Sequence, residues 1–194
     1  MKYTKDVILK NSKKCLIREA VGDDAQEVLN IFLLTHEQTD YLSSYKDEAT
    51  FDAEFEKKFL NDIACSEREV YLCAFIDGHI VGTASVFSIG PNKVKHRAGF
   101  GIAIDKDYWG IGIGQALTAA CVEFSKAAGY SQLELEVVSD NTGAISLYRK
   151  MGFIEFGRNP RGFISRFQGW QELVSMRLEL NCESQFVNAK SRKA

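Results

Sequence analysis

Between Phe100 and Gln115 the chain passes from an apolar, strand-forming run, Phe100-Gly101-Ile102-Ala103-Ile104, through Asp105-Lys106-Asp107-Tyr108-Trp109 into Gly110-Ile111-Gly112-Ile113-Gly114, and then into helix-forming residues. A strand that meets a helix through alternating glycines leaves the architecture little freedom. Glycine tolerates the sharp turn, and the turn gathers several N–H groups at a helix N-terminus, where unpartnered donors and the positive end of the dipole favour an anion. The expectation is a cradle for a phosphorylated ligand, built on the N–H groups of Ile111, Gly112, Ile113, Gly114 and Gln115. The residues alone leave a second possibility, that the glycines only let the helix pack closely on its neighbours.

Glycine loops differ in spacing and in their helper residues. A triphosphate loop needs Gly-Lys-Ser or Gly-Lys-Thr, whereas Gly114 runs into Gln115-Ala116-Leu117. A dinucleotide fingerprint needs glycine at the first, third and sixth places, and counting from Gly110 or Gly112 puts Gln115 or Leu117 at the sixth. Nucleotide binding is therefore the minor alternative.

Residues 109–114 resemble the acyl-CoA loop of the GNAT superfamily of N-acetyltransferases, whose pattern is Arg or Gln, two residues, Gly, one residue, then Gly or Ala. Trp109 stands at the Arg/Gln place, a departure that removes one polar contact and leaves the backbone donors intact. After a further helix and strand comes Asn141-Thr142-Gly143-Ala144-Ile145-Ser146-Leu147-Tyr148-Arg149-Lys150-Met151-Gly152-Phe153. It is similar to the family's Asn-x-x-Ala-x-x-Leu-Tyr-x-x-x-Gly-Phe segment. The resemblance spans roughly residues 15–180 in element order, although only the two motifs are specific.

The chain has 194 residues, a length that suits one domain burying roughly 70% of its unfolded surface. Forty-five per cent hydrophobic residues and a net charge of −2 describe an ordinary globular protein without the basic excess that attracts nucleic acid. Cys15, Cys65, Cys73, Cys121 and Cys182 contain no short-spaced pair and are odd in number, so reduced thiols are expected rather than a disulfide framework or zinc site. The first residues hold no apolar run suited to a signal peptide, and no stretch has the length of a membrane span. A cytoplasmic protein without membrane contact is expected.

Val7–Lys10 and Cys15–Glu19 flank a polar turn and suggest an N-terminal hairpin. Asp23 or Asp24 can cap a helix that carries Ala25, Val28, Leu29 and Phe32 at helical spacing, and a second helix is expected to hold Phe51, Phe55 and Phe59. Val70–Ile76 and Ile80–Ile89 are joined by Asp77-Gly78, a strong hairpin signal. A strand near Arg97–Ile104 precedes the loop. The helix after it places Ile113, Ala116, Leu117, Ala120, Cys121 and Phe124 on one face and stops at Gly129. Leu133–Val138 reads as the next strand and Asn141–Met151 as a short helix with an apolar stripe of Ala144, Leu147 and Met151. Two last strands are expected over Phe153–Arg158 and Glu172–Glu179, joined by a connection containing Pro160, Gly162 and Gly169. The expected fold class is α/β (α+β): a GNAT-like mixed, mostly antiparallel central sheet of about seven strands with helices on both faces. Residues 1–180 form a single domain in this reading, and 181–194 a polar tail.

For the chemistry, the resemblance implies that the strand before the loop splays from its neighbour. The exposed backbone of Ile102, Ala103 and Ile104 then pairs with the pantetheine amides of acetyl-CoA. It also implies that Tyr148 stands near the CoA sulfur and protonates the departing thiolate. Asn141 lies seven residues earlier and points to a similar side. Without the motif, Asn141 is a helix cap and Tyr148 a core aromatic. The family shares no one base. Glu134 and Glu136 occupy alternate positions on a strand and share a face, so either is a candidate, beside the plainer reading of a solvated pair. His96 is a further candidate, with a surface loop as its plainer reading.

The segment His36–Asp62, which in the family governs acceptor choice, carries Glu37, Asp40, Asp47, Glu48, Asp52, Glu54, Glu56 and Asp62 against three lysines. It either attracts a cationic amine by its field or only solvates helix faces. No cysteine has an adjacent histidine to suggest a covalent acyl-enzyme. The expected activity is direct, metal-independent transfer of an acetyl group from acetyl-CoA to a primary amine, of a small molecule first and of a protein N-terminus or lysine second. A non-catalytic acyl-CoA sensor is the rival, and a homodimer is possible.

Overall fold

A computed structural model describes residues 3–180. Its elements are β1 (Thr4–Ile8), β2 (Lys14–Glu19), α1 (Ala25–Gln38), α2 (Ala53–Ala64), β3 (Val70–Ile76), β4 (His79–Ser88), β5 (Arg97–Ile104), α3 (Ile113–Ala127), β6 (Gln132–Val138), α4 (Thr142–Lys150), β7 (Ile154–Ser165) and β8 (Gly169–Glu179). They build one eight-stranded sheet in the order β1-β2-β3-β4-β5-β6-β8-β7. Only β5 and β6 pair in parallel. The sheet is the mixed, mostly antiparallel one expected. It has eight strands because both arms of the N-terminal hairpin join it, β1 against β2 and β2 against β3.

Local chemistry explains most element ends. Asp77 and Gly78 take φ of 52° and 84°, the left-handed pair a two-residue hairpin requires. Helix α1 differs from expectation at its start. A short 3₁₀ turn, Gly22–Asp24, precedes it, and the Asp24 carboxylate accepts from the N–H of Val21 at 2.8 Å rather than capping α1 itself. Phe51 lies before α2. Asp52 caps that helix through Phe55 N–H at 2.9 Å, and Phe55 and Phe59 are exposed while Glu56 and Leu60 face inward. The second helix thus holds Phe55 and Phe59 as expected and starts after Phe51.

The last hairpin is longer than its sequence signals. Pro160 and Gly162 lie inside β7, which continues to Ser165. An outermost strand needs no N–H on its free side, so it tolerates proline, and the register shifts between Asn159 and Phe163. Gly169, at φ 76°, marks the true turn.

Two apolar cores lie on opposite faces of the sheet. One joins Leu72, Ala98 and Val174 to Leu117 and Cys121 of α3 and Ile145 and Tyr148 of α4. The other joins Cys73, Phe75 and Ile80 to Val28 and Ile31 of α1 and Leu60 of α2. Strand β3 is buried on both faces, so it reads as a nearly continuous apolar run. Cys15, Cys73 and Cys121 are buried and Cys65 is exposed. Cys182 and the expected tail, 181–194, lie outside the described residues. Among the described residues no helix is long and apolar enough to cross a membrane.

The start of α1 is tied to the sheet by Arg18, whose Nη1 and Nη2 each donate to Asp24 at 2.7 Å while its guanidinium lies 4.2 Å from the Phe75 ring centroid. Burial pushes the Asp24 carboxyl up, but its bonds from Arg18 and Val21 and the charge of Arg18 outweigh this and hold it below the usual range. A carboxyl whose folded pKa lies under its unfolded value stabilises the fold above about pH 4, and this stabilisation disappears as pH falls through the lower value. Asp24→Asn is expected to lower stability by about 2 kcal/mol at pH 7, with the gap to wild type narrowing at pH 3. Urea titrations at the two pH values check this, and an equal gap at both contradicts it.

Candidate active site

Strands β5 and β6 pair for only three rungs, Arg97 with Gln132, Ala98 with Leu133 and Gly99 with Glu134. Beyond them β5 stays on β4 as far as Ile104, while β6 stays on β8 as far as Val138, so the two strands diverge. At the branch the Phe87 ring lies over Gly99, where an added Cβ would stand 2.2 Å from it. The rings of Phe100, Tyr148 and Phe153 pack against one another at 5.8–6.2 Å beside the branch. The divergence leaves the Phe100–Ile104 edge without a ladder partner on its β6 side. A groove of about 1330 Å³ runs along it.

One end of the groove is the glycine loop. Gly110 and Gly112 have φ of 79° and 108°, the left-handed region in which Cβ is strained, and Gly112 is the residue that opens α3. From Gly110 to Gln115 no backbone N–H has a hydrogen-bond partner among the described residues. Gly114 answers to packing instead, since a Cβ there would sit 3.0 Å from Leu147 on α4. The glycines thus do different work, Gly110 and Gly112 for backbone conformation and Gly114 for close packing. The Trp109 indole Nε1–H donates to the Ile104 carbonyl at 2.8 Å, bracing the loop against the end of β5.

Of the expected binding residues, Ile102, Ala103, Ile104, Trp109, Gly110, Gly112, Gly114, Gln115, Asn141 and Tyr148 line this one groove. Ile113 is buried in the core, and Ile111 is half-buried with its carbonyl accepting from the Lys10 N–H at 3.0 Å. These two turn side chains inward and offer the groove only backbone.

Asn141 accepts from the Ala144 N–H at 3.2 Å and so caps α4. Tyr148 shares the buried face of α4 with Ile145, while Ala144, Leu147 and Met151 are only half-buried, so the apolar stripe lies one position away from the expected one. Burial pushes the Tyr148 hydroxyl well above its usual range. A phenol starting near 10 is already a weaker acid than a thiol near 8.5, so outright protonation of a thiolate is uphill and burial makes it more so. The chemistry open to this group is hydrogen-bond donation to developing negative charge.

Glu134 and Glu136 both line the groove. They are not equivalent. Both Glu134 oxygens accept from Arg97, at 2.6 Å each, and its side chain is 14% exposed. Among the described residues Glu136 accepts only from the Ser175 hydroxyl, at 3.2 Å, and it is open to solvent. His96 does not line the groove, and its carbonyl joins β5 to β6 by accepting from Ser131 and Gln132 N–H.

Thr39, Tyr41, Leu42 and Ser43 after α1 and Phe156 and Phe163 of β7 also wall the groove. The acidic segment that follows α1 is largely partnered. Asp40 accepts from Ser165 at 2.5 Å and Gln171 at 3.2 Å, Arg166 donates to both Asp47 oxygens at 2.7 Å, and Lys46 pairs with Glu37 at 2.6 Å. The bonds of Asp40 and Asp47 fasten the segment to the β7–β8 turn, so these two carboxylates serve as a latch rather than as part of a free anionic rim. Lys10, Thr35, Tyr41, Phe87 and Phe163 escaped the sequence reading. No local signal marks them, because tertiary packing of separate strands, a helix and loops brings them to the groove.

Known proteins share this arrangement. The acetyltransferase (GNAT) family model matches residues 30–153. The chain is 33% identical over 109 residues to an uncharacterized protein of Mycobacterium leprae, covering 56% of this chain but only 28% of that protein. It is 30% identical over 100 residues to the [ribosomal protein bS18]-alanine N-acetyltransferase of Escherichia coli, covering 52% of this chain and 67% of that enzyme. A GNAT-family acetyltransferase from Streptococcus pneumoniae superposes with a TM-score of 0.81 at 30% identity, over 86% of this chain and 99% of that one. A Salmonella typhimurium protein solved with its cofactor acetyl-CoA shares the fold, with a TM-score of 0.78 at 18% identity over 88% of this chain and 96% of that one. With the family model spanning most of the chain and the diverging strands, glycine loop and α4 tyrosine gathered on one groove, the chain belongs to the GNAT family of acetyltransferases.

Proposed function

We propose that this protein, with residues 1–180 as its single catalytic domain, transfers an acetyl group from acetyl-CoA directly to a primary amine. The observation that carries the reading is the groove itself, in which a run of unpartnered N–H groups at a helix start adjoins an unpaired strand edge and a buried tyrosine. A long ligand with phosphates at one end and amides along its length fits those donors in that order. The fold neighbour solved with acetyl-CoA supports the same ligand. Bound acetyl-CoA supplies an activated thioester carbonyl.

The chain's own residues supply the rest. The N–H groups from Gly110 to Gln115 hold the pyrophosphate, and the open edge of Ile102 and Ala103 aligns the pantetheine arm, with Ile104 sharing its carbonyl with Trp109. Asn141 fixes the start of α4 and thereby Tyr148, which donates a hydrogen bond toward the sulfur and steadies its charge. Glu136, without a cation partner among the described residues, accepts the ammonium proton directly or through water, whereas Glu134 with Arg97 holds the fork of the two strands. The acceptor is first a small-molecule amine. An α-amine at a protein N-terminus is the second reading, favoured by the relative named for alanine of a ribosomal protein. An acyl-CoA sensor, the remaining rival, would bind without releasing thiol.

Acetyl-CoA at a hundredfold excess over Kd is expected to raise the melting temperature by about 5–10 °C, and ATP or NAD to leave it unchanged. Stabilisation by ATP or NAD in place of acetyl-CoA sinks the reading. With acetyl-CoA present, thiol release is then followed across small amines and an alanine-initiated peptide, and release with none of them leaves the sensor. Tyr148→Phe is expected to lower kcat about a hundredfold at unchanged KM for acetyl-CoA, and a kcat equal to wild type removes the tyrosine from the chemistry. Glu136→Gln is expected to lower kcat/KM for the amine roughly a hundredfold near pH 7. That deficit shrinks as the pH approaches the amine's own pKa, where free amine no longer needs a base, and a deficit independent of pH rules the role out.

A further inference from the structure

From Trp109 to Thr118 the loop and the first turn of α3 contain no basic side chain. Trp109 turns its indole N–H to a backbone carbonyl, so no side chain of the loop brings positive charge to a phosphate held there. Backbone N–H groups orient an anion, but they carry only partial charge.

A cation arrives from the far end of the sequence. Lys10, at the tip of the β1–β2 hairpin, donates its N–H to the Ile111 carbonyl at 3.0 Å and its Nζ to the Gly110 carbonyl at 3.2 Å. The tip is fixed beneath it. Leu9 is 6% exposed within the core, its N–H donates to the Lys13 carbonyl at 2.9 Å, and Ser12 closes the turn onto the Leu9 carbonyl at 2.9 Å. The Lys10 stem lies along the loop, with Cγ 3.8 Å from where a Cβ on Gly112 would stand. Lys10 lines the groove and has no ion-pair partner among the described residues. On the other flank of the helix start, Lys150 donates to Gln115 Oε1 at 3.1 Å. The carboxylates that line the groove, Glu134, Glu136 and Asp140, stand on β6 and the turn after it.

We infer that Lys10 is a binding residue for the pyrophosphate of acetyl-CoA, an inference that rests on the reading of the groove given above. Its ammonium stands on the Gly110 carbonyl and turns from there to a phosphate oxygen held by the N–H groups from Gly110 to Gln115. The hairpin thus supplies, from a hundred residues away, the polar side chain that Trp109 takes out of the loop. An ammonium–phosphate hydrogen bond is charge-assisted and still partly solvated, so its loss weakens binding roughly tenfold.

The test is calorimetric titration of the full-length protein with acetyl-CoA and with dephospho-CoA, which keeps the pyrophosphate but lacks the 3′-phosphate. Lys10→Met preserves the aliphatic stem and the backbone bond to Ile111. It is expected to weaken both ligands about tenfold, to reduce the salt dependence of their binding, and to leave the ligand-free melting temperature unchanged. Lys10→Arg is expected to restore most of the affinity. Wild-type affinity in Lys10→Met overturns the inference, as does a loss confined to the ligand bearing the 3′-phosphate, or a loss matched by a lower melting temperature without ligand. Absence of CoA binding by the wild-type protein overturns the reading of the groove itself, and with it this one.

Discussion

Everything at the groove depends on the point where β5 and β6 part. A parallel pair normally hands its backbone hydrogen bonds from one strand to the next along its whole length, and an open edge inside a sheet is costly unless something else occupies it. Here each strand is committed to its other neighbour, β5 to β4 and β6 to β8, and those antiparallel ladders hold the two apart after three rungs. The fork is kept by packing as well as by pairing. Phe87 fills the space left by Gly99, and Arg97 and Glu134, on adjoining strands at the branch, close it with a bidentate ion pair.

Around that fork the chain uses remote segments as props. The end of α1 is tied to the turn after β5 by Gln38, which donates to Asp105 at 2.7 Å and accepts from the Lys106 N–H at 2.9 Å. The segment after it is held by the β7–β8 turn through Asp40, Tyr45 and Asp47, and the N-terminal hairpin props the glycine loop through the Lys10 backbone N–H on the Ile111 carbonyl. Loops carried on such supports keep their geometry while leaving backbone donors free for a ligand. Asp40 and Asp47, two of the charges that resemble an attractive rim in sequence, are held in these contacts, so the count of acidic residues between His36 and Asp62 overstates the charge left free to attract an acceptor.

Much of this was legible because the signals are local. The glycine loop, the Asp77-Gly78 hairpin, the face of α3 and the motif around Tyr148 depend on residues within a turn or two of one another, and each is found where its spacing places it except that the buried face of α4 lies one position away. The failures have a common cause. Phe51, expected on the second helix, lies before it, because Asp52 caps α2, and on the helix Leu60 rather than Phe55 or Phe59 is buried. Pro160 and Gly162 read as breakers, but an outermost strand with a register shift accommodates both. Glu134 and Glu136 look alike in the sequence, and only the approach of Arg97 from the neighbouring strand separates them.

The sequence by itself determined the family, the order of the elements and the glycine-rich turn that opens α3, since these follow from backbone preferences and short-range patterns that every neighbouring residue reinforces. Which carboxylate is free, which lysine reaches the loop and what Trp109 does were decided by tertiary structure alone. Those contacts join residues up to a hundred positions apart, and the geometry of a hydrogen bond depends on where strands lie in the sheet rather than on where residues lie in the chain.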